Sequence, residues 1–268
     1  MKSNDWTRWL TEPSTVPVYL MLNTLSSPNP TDLLFANDWV EQSFPLYNGT
    51  SLAHLIAQSP WLVQLKVKAY APLGQLLDRK ALSDKSWGWA YRSSLGWAYQ
   101  LKHWQNRQLV LLNNELVVLR LMDSRIATVL IPKMNIHDWH VLMTPVHEVM
   151  LDTPNGANLF ESQARHESLP YPETQARPFV IGHHLQIAWE DSETFIQLTA
   201  ENMACELWEN VPNDAMKLDT PEGQLHRRLV DWLHIHPSLA GDVTSRTIGQ
   251  FLNYSQQQGW LTLTMELS

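Results

Sequence analysis

The pattern of this chain changes character between Asp152 and Pro178, and that change constrains its fold more than any other feature. Upstream, short apolar stretches rich in β-branched and aromatic residues alternate with segments of helical spacing. Downstream, apolar residues recur mainly at helical spacings. The segment between holds Pro, Gly, Asn, Glu and His without sustained periodicity, the composition of a linker or long surface loop. The expectation is a mixed α+β (α/β) protein. Residues 1–151 form an amino-terminal lobe with a mixed sheet flanked by helices, residues 152–178 a linker or long loop, and residues 179–268 a mainly helical carboxy-terminal lobe. A chain of 268 residues is long enough for two such lobes.

Within the first lobe, Val16–Leu25, Trp61–Lys66, Ser86–Tyr91 and Val146–Leu151 read as strands. Thr31 or Asp32 caps a helix over Leu33–Val40, Thr50 caps one through Leu52, Leu55 and Ile56, and a third runs around Leu73–Leu82. Gln108–Leu112 and Glu115–Leu121 flank Asn113-Asn114, and because Asn tolerates positive φ, the arrangement predicts a β-hairpin with a two-residue turn. Asp123 follows as the cap of a helix through Ile126, Val129 and Leu130 that Pro132 ends, and a short helix spans Asn135–Met143. In the second lobe, Thr199–Val211, Glu222–Leu233 and Thr244–Gln258 read as helices, with Gly259 as a stop.

Composition then removes several classes of function. Hydrophobic residues at 44% against charged residues at 17% favour a packed core over disorder. A net charge of -8 with no Lys/Arg run offers nothing to a phosphate backbone or an anionic membrane surface. Cys205 is the only cysteine, so no intrachain disulfide forms, and its apolar neighbours in a helical segment predict a buried, inert thiol. The opening Met1-Lys2-Ser3-Asn4-Asp5-Trp6 lacks a signal peptide's apolar stretch, and no apolar run reaches the ~20 residues of a membrane span. A cytoplasmic protein is expected.

Catalytic constellations are sparse. His137 and His140 share a helical face without the Glu of a zinc-protease motif, and His183-His184 and His234-Ile235-His236 need a third ligand from elsewhere. Ser93-Ser94-Leu95-Gly96 sits at a strand-to-helix junction but lacks the leading Gly of a nucleophile elbow. No phosphate-binding loop is present. The expectation is therefore no enzyme, no metal and no cofactor, with two rivals. One is a metal-dependent hydrolase using His137, His140 and His147; the other is a carbohydrate-binding module using exposed members of the thirteen tryptophans. Trp61, Trp87, Trp89, Trp97 and Trp104, set among apolar neighbours, are assigned to the core.

Over about Val18–Leu151 the order of local features resembles the type VI secretion effector chaperone, or adaptor, family built on domain of unknown function 4123. The resemblance is carried by Tyr19-Leu20, by the Pro45-Leu46-Tyr47-Asn48-Gly49-Thr50 turn and by Ser59-Pro60-Trp61-Leu62-Val63-Gln64-Leu65. It continues through Ser86-Trp87-Gly88-Trp89, Ser93, a helix with Leu101, and Leu119-Arg120-Leu121-Met122-Asp123-Ser124-Arg125-Ile126. Ser124 stands where the family usually has proline, and Leu121-Met122 where it has an aromatic pair; Asp123 and Arg125 are kept. Tyr47, Gly49, Pro60, Trp87, Gly88, Arg120, Asp123 and Arg125 are thus motif residues, with Asp123 and Arg125 read as mainly structural. The resemblance implies a cytoplasmic adaptor that holds a cognate toxic effector and helps load it onto the spike, the valine-glycine repeat protein G. Partner choice is expected in the second lobe, where the apolar stripes of Leu225, Leu229, Leu233, Ile248, Phe251 and Leu252 are candidate effector-binding residues or plain interlobe packing.

Overall fold

The computed structural model describes residues 5–153, 155–162 and 178–261. The chain divides into two compact units, Met1–Ala188 and Trp189–Ser268. Among the described residues, no helix is long and apolar enough to cross a membrane.

The first unit is built on a six-stranded sheet of β1 (Val18–Leu22), β2 (Val40–Pro45), β3 (Trp61–Leu65), β4 (Gly88–Arg92), β7 (Glu148–Thr153) and β8 (Gly156–Glu161). Its order is β2-β3-β1-β4-β7-β8, antiparallel at every pairing. A smaller sheet of β5 (Leu109–Leu112), β6 (Glu115–Val118) and β9 (Phe179–Val180) has the order β6-β5-β9. Parallel pairing occurs there, between β5 and β9, so the mixed character expected of the main sheet belongs to the small one.

Alternation along the strands sorts the main sheet's two faces. Val18, Leu20, Leu22, Val63, Leu65, Ala90 and Met150 pack in one cluster with Trp6, Trp9 and Leu10 of α1 (Trp6–Thr11), Leu34 of α2 (Pro30–Ala36), and Leu73 and Leu77 of α3 (Tyr70–Asp78). On the alternate residues, Tyr19 stacks on Tyr91 at 5.3 Å, and Trp89 and Tyr91 meet Trp104 of α4 (Trp97–Asn106) edge-on at 5.7 and 5.9 Å. Gly88, at φ +139, is required where β4 meets β1: a Cβ there would collide with the Met21 carbonyl oxygen.

Several expectations change here for identifiable reasons. Asn29, not Thr31 or Asp32, caps α2, because its side chain accepts from Thr31 N while Pro30 fills the first helical position. The helix expected to reach Val40 stops at Ala36, and Val40–Pro45 becomes an edge strand paired with β3. Beyond Thr50 the chain makes a 3-10 helix over Ala53–Gln58. The boundary at Asp152 also moves. Asp152 and Thr153 belong to β7, and Gly156–Glu161 continues the sheet as β8, so the first unit extends well past Leu151. The rest of the expected linker, residues 163–177, lies outside the described residues. The Asn113-Asn114 hairpin forms with both residues at positive φ, 51 and 66, the conformation a two-residue turn demands. After it, α5 (Ser124–Leu130) and α6 (Ile136–Val141) lead into β7.

Beyond β9, α7 (His183–Glu190) spans the boundary between the units. The second unit continues through α8 (Glu193–Asn210), α9 (Pro212–Leu218), α10 (Gln224–Ile235) and α11 (Ser245–Gln257), the last capped by Thr244. Its core contains Leu225, Leu229, Leu233 and Phe251, all at 1% exposure or less, with Ile248 and Leu252 packed against it. The candidate effector-binding stripes therefore close on one another and on Ile196, Met203 and Leu207 of α8 inside this unit. Leu225, Leu229, Leu233 and Phe251 are thus core residues of this unit, and Ile248 and Leu252 are half-buried against it.

Candidate functional site

The motif residues resolve into scaffold. Tyr47 is buried and its backbone N–H donates to Ser59 Oγ at 3.0 Å, while Leu46 N–H donates to the carbonyl of buried Pro60 at 2.9 Å, closing the turn against β3. Gly49 takes φ +75 in that turn, and Thr50 Oγ1 donates back to the Tyr47 carbonyl at 2.8 Å. Trp87 is buried with its indole N–H donating to Asp152 Oδ2 at 3.1 Å. Asp123, 1% exposed, accepts from Arg125 N at 2.9 Å as the cap of α5, and its other oxygen meets Arg125 Nη2 at 2.9 Å. Ser124 donates to the Lys85 carbonyl at 2.5 Å. Of the motif residues, Gly49 and Arg120 are exposed.

The groups with acid, base or nucleophile chemistry are dispersed. His137 is exposed, while His140 and His147 are half-buried, and among the described residues no group of three His, Cys, Asp or Glu is placed to hold a metal ion. His184 instead meets the buried Asp138 at 2.7 Å, and Asp138 also accepts from Asn135 N in the capping box of α6. His103 is fully packed, its Nε2 2.9 Å from the Leu142 carbonyl, and burial pushes its pKa down to about 3, so it stays neutral. Burial likewise raises the Tyr99 phenol to about 12. Tyr91, Gln100, Ser93 and Trp104 form one buried hydrogen-bonded chain. Ser94 Oγ lies 3.0 Å from His147 Nε2.

Surface aromatics and aliphatics point elsewhere. In the small sheet Leu111 faces Leu116 on β6 and Val180 on β9, so the three side chains form a row on one face. Leu116 is 59% and Val180 63% exposed, whereas Val110, Val117 and Phe179 turn to the covered face. Of the tryptophans expected in the core, Trp87, Trp89 and Trp104 are buried and Trp61 and Trp97 half-buried. Trp208 on α8, which sequence reasoning passed over, is 42% exposed. Cys205, expected to be buried, is exposed one turn before it, because the core-facing side of α8 is filled by Met203 and Leu207.

Residues 18–140 match the family model described as Domain of unknown function (DUF4123). No curated protein and no solved structure matches the chain. The match begins at the first residue of β1 and ends inside α6, so it takes in every motif residue from Tyr47 to Arg125 and none of the second unit.

Proposed function

We propose that this chain is a cytoplasmic adaptor of the type VI secretion system, which binds a toxic effector and helps mount it on the valine-glycine repeat protein G spike without catalysing a reaction. The observation that carries the reading is the DUF4123 match over residues 18–140, which falls on the same segments through which the sequence resembles the adaptor family. The geometry agrees with a binding role. Asp123, Arg125, Trp87 and Tyr47 are engaged in holding the scaffold, and the row of Leu116, Leu111 and Val180 presents an apolar strip at the surface of the matched unit. The test is co-expression with candidate spike and effector proteins from the same genome, followed by affinity purification and size-exclusion chromatography. A complex containing the effector is the expected result. Failure of both partners to co-purify overturns the reading.

One observation favours a rival, a serine hydrolase: the 3.0 Å contact of Ser94 and His147 after β4. Labelling by a fluorophosphonate probe that disappears in Ser94→Ala would support that rival, and an unlabelled protein dismisses it.

A further inference from the structure

The two units divide the charge of the chain unequally. Met1–Ala188 carries fifteen Asp/Glu and fifteen Lys/Arg, whereas Trp189–Ser268 carries twelve Asp/Glu against four Lys/Arg, so the whole net charge of -8 sits on the second unit. Helix α8 concentrates it. Its 18 residues include Glu193, Glu201, Glu206 and Glu209 and no Lys, Arg or His. Glu206 and Glu209 lie at its carboxy-terminal end, where the helix dipole already places negative charge and where no basic residue stands. The Asn210 amide donates to Glu206 at 2.9 Å, but among the described residues no cation pairs with Glu206 or Glu209.

Trp208 sits within this field. Ile196, Met203 and Leu207 face the core, and the helical period puts Glu201, Cys205, Trp208 and Glu209 on the opposite side. An indole left 42% exposed is a large apolar surface kept in water, and the π-face of tryptophan is the best side-chain partner for an arginine or lysine cation. An exposed aromatic on an acidic helix, near its negative end, is complementary to a partner with a positively charged, partly apolar surface.

We propose that the outer face of α8 docks a basic segment of a partner protein, with an arginine or lysine lying over the Trp208 ring and within reach of Glu209. The inference takes from the adaptor reading only that a protein partner exists. It names the chemistry of that partner and places it on the unit that the family match leaves out.

The test titrates the full chain into a short, fluorescently labelled amphipathic peptide of arginine and leucine, with the glutamine and leucine counterpart as control, and reads anisotropy. Saturable binding is expected that weakens at least about tenfold in Trp208→Ala and several-fold in Glu209→Gln, and that falls with added salt. Circular dichroism of each variant should match the parent, since the substituted side chains lie outside the core. Equal affinity for the glutamine peptide would assign the face to a purely apolar partner and overturn the proposal. Binding of the arginine peptide unchanged by Trp208→Ala would reduce it to unspecific attraction, and no saturable binding would remove it altogether. Co-purification with spike and effector reports on the adaptor reading separately, because a complex formed by the first unit alone would survive the loss of this face.

Discussion

Asp152 offers the sharpest test of how the first unit is held together. Its two carboxylate oxygens accept from the indole N–H of Trp6 at 2.7 Å and of Trp87 at 3.1 Å, joining α1 to the strand pair β4–β7. Both indoles are at most 2% exposed, so neither N–H can turn to water when the acceptor is removed. A buried donor left without a partner costs about 1–3 kcal/mol, so Asp152→Ala should destabilise the unit by about 3–4 kcal/mol. Asp152→Asn retains one carbonyl oxygen and turns an NH2 group toward the second indole, so about half of that loss is expected. Hydrogen exchange gives the direct readout. Amides of Leu10 and Thr11 should open several hundredfold (about 10²–10³) more often in the alanine variant and about twentyfold in the asparagine variant, with α10 in the other unit unchanged. Equal and small effects from both substitutions, below about 0.5 kcal/mol, would show that α1 is held by its packing on α3 and by Asp78, which accepts from Trp6 N and Thr7 N, and would refute the argument.

Further outcomes follow from single contacts. Gly88→Ala should cost at least about 3 kcal/mol by urea unfolding, because the added methyl meets the Met21 carbonyl and the residue cannot relax from φ +139. Arg125→Ala should destabilise by about 2–3 kcal/mol, leaving a carboxylate that is 2% exposed with its backbone cap alone; Asp123→Ala should cost about 0.5–2 kcal/mol for the cap, plus its share of the ion pair. The double variant should lose less than the sum, measured as a double-mutant cycle. With the His103 pKa at about 3 in the folded state and near its ordinary value in the unfolded chain, only the unfolded chain binds that proton as pH falls below about 6.5. Stability contributed by His103 is therefore present above about pH 6.5 and declines by about 1.4 kcal/mol per pH unit below it, and His103→Gln should flatten that slope. Leu229→Ala should cost about 2–5 kcal/mol in the melting of the second unit, the behaviour of a core residue.

Locally determined features were legible in the sequence. Asn113-Asn114 makes its turn from backbone preference alone, and Asp123 caps α5 from its position before an apolar run. Features decided by distant partners were not. Helix α1 has only six residues, and what fixes it is Asp78, Glu148 and Asp152, each far along the chain. Strand β8 reads Gly-Ala-Asn-Leu-Phe-Glu, with little intrinsic preference for a strand, and its pairing with β7 from Glu148↔Glu161 to Thr153↔Gly156 overrides the loop-like composition around it. The stripes at Leu225, Leu229 and Leu233 show the limit of periodicity. Spacing establishes that a helix has an apolar face, but what covers that face is a tertiary fact, and here it is Phe251 and the inner side of α8.

The same limit explains why Trp208 went unmarked while the charge around it was in plain view. Net charge summed over the whole chain describes solubility, but the field a partner meets depends on how charge is distributed over each folded body. Split at Ala188, the chain becomes a balanced unit that holds the DUF4123 match and an acidic unit that lies outside it. A balanced scaffold exerts little long-range discrimination between partners, whereas an acidic helical unit with an exposed indole selects against acidic surfaces and draws basic ones. If this chain is an adaptor, selection of cargo by charge falls to α8 and its surroundings, and the buried motif residues Tyr47, Pro60, Trp87 and Asp123 bear on it through the scaffold they maintain.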